Sequence, residues 1–266
     1  AIAGVDKAEF ALTPVLPGSS SFNDKPLQDE VLRLPLDDTL GQDDSLIARD
    51  VSGGGHNGVK CTGETCPSPS QVGRAGKAYY FDGANDYVDA GNQIYLAGKS
   101  FTVAFWAKRA EAGRWDLAFG LGTPSAGKRL HLGFRSTNEF TCAFFGGAGY
   151  DLNTDPFTDL GWHHWTCTYD ATTNSRILYR DGVLVKQDTA SADFSGTGNL
   201  YIGAWTPSSY SYKGLLDDVR VFSRALPATE VKGLFAGSGP LLVLPLESEF
   251  ARDGDIVKDA SSWGHE

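Results

Sequence analysis

Apolar residues along this chain recur at alternate positions in short runs, the period of a half-buried β-strand. Leu130-His-Leu-Gly-Phe134, Phe140 to Phe144, His163 to Tyr169 and Leu200-Tyr-Ile-Gly203 all read this way. Phe101-Thr-Val-Ala-Phe-Trp-Ala107 is β-branched and aromatic on both faces, as a central sandwich strand would be. Arg176 to Lys186 predicts a β-hairpin, because Asp181-Gly182 supplies the positive φ angles of a type I′ turn. One helix is expected after Leu226. Pro227 suits its first position, Glu230 its N-terminal dipole, and Val231, Leu234 and Phe235 its apolar face, before it ends near Gly237. Short strands with one late helix predict an all-β fold, a two-sheet antiparallel sandwich with one short C-terminal helix.

The chain also repeats itself. Leu32-Arg-Leu-Pro-Leu-Asp-Asp38 returns as Leu242-Val-Leu-Pro-Leu-Glu-Ser248, and Asp50-Val-Ser-Gly-Gly-Gly-His56 as Asp259-Ala-Ser-Ser-Trp-Gly-His265, both after about 210 residues. This divides the chain into a leader (1–30) that reads as extended linker, one module (31–238), and the start of a second copy (239–266). The 239–266 tail, with an apolar strand-like run and no module of its own, is expected to dock against a neighbouring copy of the protein.

Composition narrows the function. The 266 residues carry a net charge of −10, which argues against nucleic acid or an anionic membrane surface as partner. No apolar run approaches the roughly 18 residues of a membrane span, so no membrane insertion is expected. Methionine is absent and the chain opens Ala1-Ile2-Ala3, so a processed protein or an excised segment is expected. Cys61 and Cys66 lack the spacing of a zinc site and suggest a small disulfide loop. Alternation places Cys142 and Cys167 on inward faces, where a bond between neighbouring strands and two buried thiols both fit. One real disulfide would imply an oxidising, extracellular compartment.

Five segments in order carry a family resemblance: Ala78-Tyr-Tyr-Phe-Asp-Gly-Ala-Asn-Asp-Tyr-Val88, Phe101 to Trp106, Gly161-Trp-His-His-Trp-Thr-Cys-Thr-Tyr-Asp170, Leu178-Tyr-Arg-Asp-Gly-Val183 and Gly214-Leu-Leu-Asp-Asp-Val-Arg-Val-Phe222. Over about Val31 to Phe235 the chain resembles the laminin G-like jelly roll of the concanavalin A-like lectin and glucanase superfamily. The related glucanases use paired carboxylates in Glu-x-Asp-x-Glu, and no such run occurs here. Glu247-Ser-Glu249 and Asp253-Gly-Asp255 have the spacing but lie in the second-copy segment, so no catalysis is expected. His163 and His164 alternate across a strand and cannot face one ligand; one is expected to be structural and the other on the surface. Arg180-Asp-Gly182 and Asp217-Asp218 read as turn chemistry and solvated edge charges.

The resemblance implies a structural calcium, which wants six to eight oxygens. Carried over by position, its ligands are Asp37, the Gly83 carbonyl and Asp217, with Asp82 and Asp86 near enough in sequence to substitute. For ligand binding, Trp115, Trp205 and Tyr210 occupy loop-like segments, where rings can meet the flat C–H faces of sugars. Trp106, Trp162 and Trp165 fit the strand pattern and are expected in the core. The resulting expectation is a noncatalytic, extracellular binding or adhesion module, calcium-stabilised, with a glycan or a cell-surface protein as partner. The alternatives are a structural block of a tandem array and an accessory domain of a carbohydrate-active enzyme.

Overall fold

The computed structural model describes residues 27–38, 45–56, 59–207 and 209–237. The expected docking tail 239–266 and most of the leader lie outside the described residues. In chain order the strands are β1 (Glu30–Leu34), β2 (Ser45–Ala48), β3 (Val59–Thr62), β4 (Ser68–Val72), β5 (Lys77–Asp82), β6 (Val88–Asp89), β7 (Phe101–Arg109) and β8 (Asp116–Gly122). They continue with β9 (Arg129–Phe134), β10 (Glu139–Ala143), β11 (Asp151–Pro156), β12 (His163–Asp170), β13 (Ser175–Arg180), β14 (Val183–Thr189), β15 (Leu200–Ile202) and β16 (Lys213–Phe222). The helix α1 spans Ala228–Gly237. Among the described residues no helix is long and apolar enough to cross a membrane.

Among the described residues all strand pairs are antiparallel, in two sheets. The first runs β14-β13-β12-β7-β16-β5-β4, with β1 also on β16; the second runs β11-β10-β9-β8-β15-β6-β3-β2. The two-faced apolarity of β7 has a direct cause. Phe101, Val103 and Phe105 enter the core between the sheets, whereas Ala104 faces outward into a small second core closed by Leu226, Val231 and Leu234. The expected hairpin is present, with Asp181 at φ 53° and Gly182 at φ 73° between β13 and β14.

Three rungs cross the core between β12 and β10. Trp165 stacks flat on Phe140 at 3.9 Å, Cys167 is bonded to Cys142, and Tyr169 meets Phe144 edge-on at 5.0 Å. The cysteines therefore join opposite sheets, not neighbouring strands. A period of two fixes which face each cysteine takes, but says nothing of which strand lies opposite it. Cys61 and Cys66 form the expected small loop.

Two further expectations change. Trp106 and Trp165 are buried, but Trp162, just before β12, is only half-buried. Asp217 and Asp218 are not solvated edge charges, being 0% and 2% exposed. They sit at a register shift of the central strand β16, with Asp218 at φ 44°. Burial alone would raise the Asp218 carboxyl, but Arg220 at 2.8 Å and Arg33 at 3.2 Å hold it below the usual carboxylate range.

The repeated sequence segments touch each other in the first copy. Asp50 accepts hydrogen bonds from the Arg33 amide at 3.0 Å, the Ser52 amide at 2.9 Å and the His56 amide at 3.2 Å. The acid that opens one segment thus ties its turn to β1, which carries the other.

Candidate functional site

Strand register defines the outer face of the second sheet. Asp151, Ala143, His131, Gly120 and Tyr201 pair in one row across β11, β10, β9, β8 and β15. Their neighbours Leu130, Leu132, Phe119 and Cys142 point the other way, into the core. Residues 203–207 and 209–212 lie across this row, closed by a 2.8 Å bond from the Tyr212 amide to the Gly203 carbonyl. Glycine at 120 is what permits the crossing, since a Cβ there would come 2.6 Å from the Trp205 carbonyl oxygen.

The three loop aromatics singled out in sequence come together on this face. Trp115 meets Tyr210 at 5.2 Å, Tyr210 meets Trp205 at 5.4 Å, and Trp205 meets Phe145 at 5.4 Å. The Arg135 guanidinium stands 4.9 Å over the Trp115 ring and extends the tract. Tyr210 is 47% exposed and Phe145 38%, whereas Trp115 and Trp205 are half-buried. Phe145 was missed in sequence because it continues the apolar run of β10. Its φ of 57° marks where the chain leaves the strand and turns the ring outward.

Beneath the rings lie two cationic or titratable groups that alternation alone assigns to solvent. His131 is buried against Trp205 and Phe145, and burial pushes its imidazole down to about 4, so it is neutral at physiological pH. Arg129 is 1% exposed, and its Cζ lies 5.6 Å from the Tyr201 ring and 5.8 Å from that of Trp205. Nearby, Arg114 holds the Trp115 segment in place. It pairs with the buried Asp116 at 2.9 Å and donates to the carbonyls of Gly83 at 2.8 Å and Ser211 at 3.2 Å.

The three expected calcium ligands, Asp37, the Gly83 carbonyl and Asp217, and the two substitutes, Asp82 and Asp86, fall at two separate places. Asp37 and Asp217 flank the β4–β5 turn: Asp37 accepts from the Lys77 amide at 2.5 Å, and Asp217 from those of Arg74 at 2.6 Å and Ala75 at 2.9 Å. Asp82, Gly83 and Asp86 lie at the opposite end of β5, about 20 Å away at roughly 3.3 Å per residue. There the Gly83 carbonyl is engaged by Arg114, and Asp86 accepts from the Asp82 amide at 2.7 Å. Among the described residues no group of three or more His, Cys, Asp or Glu side chains is placed to hold a metal ion.

Asp217 has another consequence. Burial, assisted by the neighbouring Asp218 and Asp37, pushes its carboxyl up to about 8 against the two amides that favour the charge. Its Oδ1 has no hydrogen-bond partner, which suits a proton there. A raised acid pKa means that the folded state holds the proton more tightly than the unfolded one, so stability declines as pH rises from about 4 to about 8. Asp217→Asn should remove that part of the decline. Melting curves of both proteins across this range should therefore diverge as pH rises, with the variant the more stable at pH 8; parallel curves would count against the buried proton.

His163 and His164 do not share a ligand. His164 is buried against Trp106 beneath α1, and His163 sits half-buried at the hairpin end with Asp181 at 2.7 Å.

Known proteins share this fold. A jelly-roll domain of an arabinanase, domain 4 of the extracellular GH43 enzyme AbnA from Geobacillus stearothermophilus, determined with arabinotriose, superposes with a TM-score of 0.55 at 16% identity; the match covers 77% of this chain and 98% of that one. The binding domain of Paraclostridial Mosquitocidal Protein 1 gives 0.53 at 17% identity, covering 78% of this chain and 52% of that one. The receptor binding domain of botulinum neurotoxin D gives 0.55 at 17%, covering 82% and 54%. At these identities the similarity is one of fold. No curated protein matches the chain in sequence. A laminin G-like family profile matches residues 82–232, more than half of the chain, and the protein therefore belongs to the concanavalin A-like lectin/glucanases superfamily.

Proposed function

We propose that the protein is a noncatalytic, extracellular carbohydrate-binding module whose glycan lies along the Trp115–Tyr210–Trp205–Phe145 tract. The observation that carries this reading is the continuity of the rings, each within 5.4 Å of the next. Such a tract offers successive apolar surfaces to the C–H faces of linked sugars, while Arg135 and the Tyr210 phenol serve their hydroxyls. The arabinanase domain determined with arabinotriose supports the reading, since the same architecture there meets an oligosaccharide. The neighbours described above are binding domains, which agrees with a module that holds a ligand without transforming it. Two disulfides and the extracellular arabinanase support an extracellular setting.

Trp205 is the centre of the tract, touching Tyr210, Phe145 and His131. Trp205→Ala should weaken glycan binding by about 2 kcal/mol or more, as truncation of a central aromatic does. Tyr210→Ala, at the exposed edge, should cost less. A glycan array probed with the wild-type chain gives the first test, and failure to bind any member would contradict the proposal.

A further inference from the structure

Among the buried arginines of the described residues Arg129 is the least satisfied: Arg109 also lacks a carboxylate partner, but its Nη1 and Nη2 donate to Asn138 Oδ1 at 3.3 Å and to the Phe157 carbonyl at 2.5 Å, which leaves only its Nε idle. Arg33 and Arg220 meet Asp218 at 3.2 and 2.8 Å, and Arg176 meets Asp188 at 2.7 Å. Among the described residues no carboxylate pairs with Arg129, although it is 1% exposed. Its Nη1 donates to the Gly122 carbonyl, whereas Nε and Nη2 have no hydrogen-bond partner. Burial lowers its pKa to about 10, so the guanidinium still carries its charge at neutral pH. A buried charge left uncompensated is costly, and the fold normally supplies a partner.

The geometry of the two idle nitrogens is specific. Nε and Nη2 form the side of the guanidinium on which two N–H bonds point the same way, the fork that grips both oxygens of a carboxylate. The missing side chain at Gly120 makes room for Nη2 itself, since a Cβ there would come 2.5 Å from that atom, with the Trp205 and Ala204 carbonyl oxygens at 2.6 and 2.8 Å from the same point. The Trp205 ring lies 5.8 Å from the guanidinium, and its Nε1 likewise has no hydrogen-bond partner. Three donor nitrogens without acceptors, two on Arg129 and one on Trp205 itself, thus belong to the centre of the aromatic tract, in a chain whose net charge is −10.

Resting on the glycan reading, we propose that Arg129 and Trp205 form a subsite for the carboxylate of an acidic sugar, so that the ligand is a carboxylate-bearing glycan. The half-buried Trp205 stands over the fork, and its indole shifts within the tract to admit the acid, its Nε1–H donating to the same carboxylate. The carboxylate then supplies the charge that the fold leaves unmatched at Arg129, while the adjoining sugars lie on Tyr210 and Trp115. A neutral sugar leaves the guanidinium buried and unpaired, and gains only the ring contacts.

The test is an array of uronic-acid and sialylated oligosaccharides printed beside their carboxyl-reduced forms, followed by calorimetric titration of the best acidic member. Wild type should bind the acidic form at least about tenfold more tightly than its reduced counterpart, the loss expected for a charge-assisted pair. Arg129→Lys keeps the charge but not the fork and should erase most of that preference, whereas Tyr210→Ala should weaken acidic and reduced forms alike. Equal binding of acidic and reduced forms by wild type would overturn the carboxylate subsite while leaving the aromatic tract in place. An unchanged preference in a folded Arg129→Lys variant would also overturn it. Should that variant fail to fold, the wild-type comparison decides by itself. Absence of binding to any oligosaccharide would overturn the glycan reading and this inference with it.

Discussion

Replacing Trp165 by alanine should lower the free energy of unfolding by about 3–5 kcal/mol, the range for a large aromatic removed from a close-packed core. Trp165 is 1% exposed and its ring lies parallel to Phe140 at 3.9 Å, with Phe134 and Phe157 edge-on at 5.5 Å. Phe140 and Phe134 belong to the second sheet and Trp165 to the first, so the cavity would open between the sheets, where neither can collapse without shifting the other. Denaturant titration reads the loss directly. A change within about 0.5 kcal/mol, typical of surface substitutions, would contradict the packing described.

Removing the Cys142–Cys167 disulfide should have an effect of similar size. It closes a loop of 25 residues, and its constraint on the unfolded chain is worth about 3.5 kcal/mol in the loop-entropy treatment. For a domain of this size that corresponds to a melting temperature lower by roughly 7–14 °C. The Cys142→Ala, Cys167→Ala double variant compared with wild type measures it. The Cys61–Cys66 bond closes a loop of only five residues and should contribute less, about 2 kcal/mol. Denatured but unreduced protein should present no free thiol to an alkylating reagent. Two reactive thiols at 142 and 167 would refute the bridge between sheets.

The fold was largely legible because its signals are local. Asp181-Gly182 specifies its own turn, Pro227 with Val231 and Leu234 specifies α1, and alternation places Leu130, Leu132 and Phe134 inside. What depends on elements distant in sequence was less legible. The pairing of Cys142 with Cys167 requires knowing that β10 lies opposite β12. Asp217 and Asp218 read as edge charges because the arginines that bury Asp218, and the amides that hold Asp217, come from β1, β16 and the β4–β5 turn.

The site shows the same division. Trp115, Trp205 and Tyr210 stood out as aromatics in segments rich in glycine, serine and proline, where no strand pattern accounts for them. Arg129 and His131 did not, because on an alternating strand an outward position means solvent unless another segment covers it. Here Ala204 and Trp205 supply the cover, which the absence of a side chain at Gly120 permits. The calcium set failed to assemble for a related reason: position-by-position transfer kept the residue types, but β5 separates Asp37 and Asp217 from Gly83.

The most direct test of the glycan-binding face is the indole N–H region of the nitrogen–proton NMR spectrum, where each of the six tryptophans gives its own signal. Alanine or phenylalanine substitutions assign the signals, and the tightest-binding oligosaccharide from the array is then titrated in. Trp115 and Trp205, on the outer face of the second sheet, should shift progressively with ligand, while the buried Trp106 and Trp165 should stay in place. An oligosaccharide that binds without moving Trp115 and Trp205, or that moves only other tryptophans, would contradict the assignment of the glycan to this face.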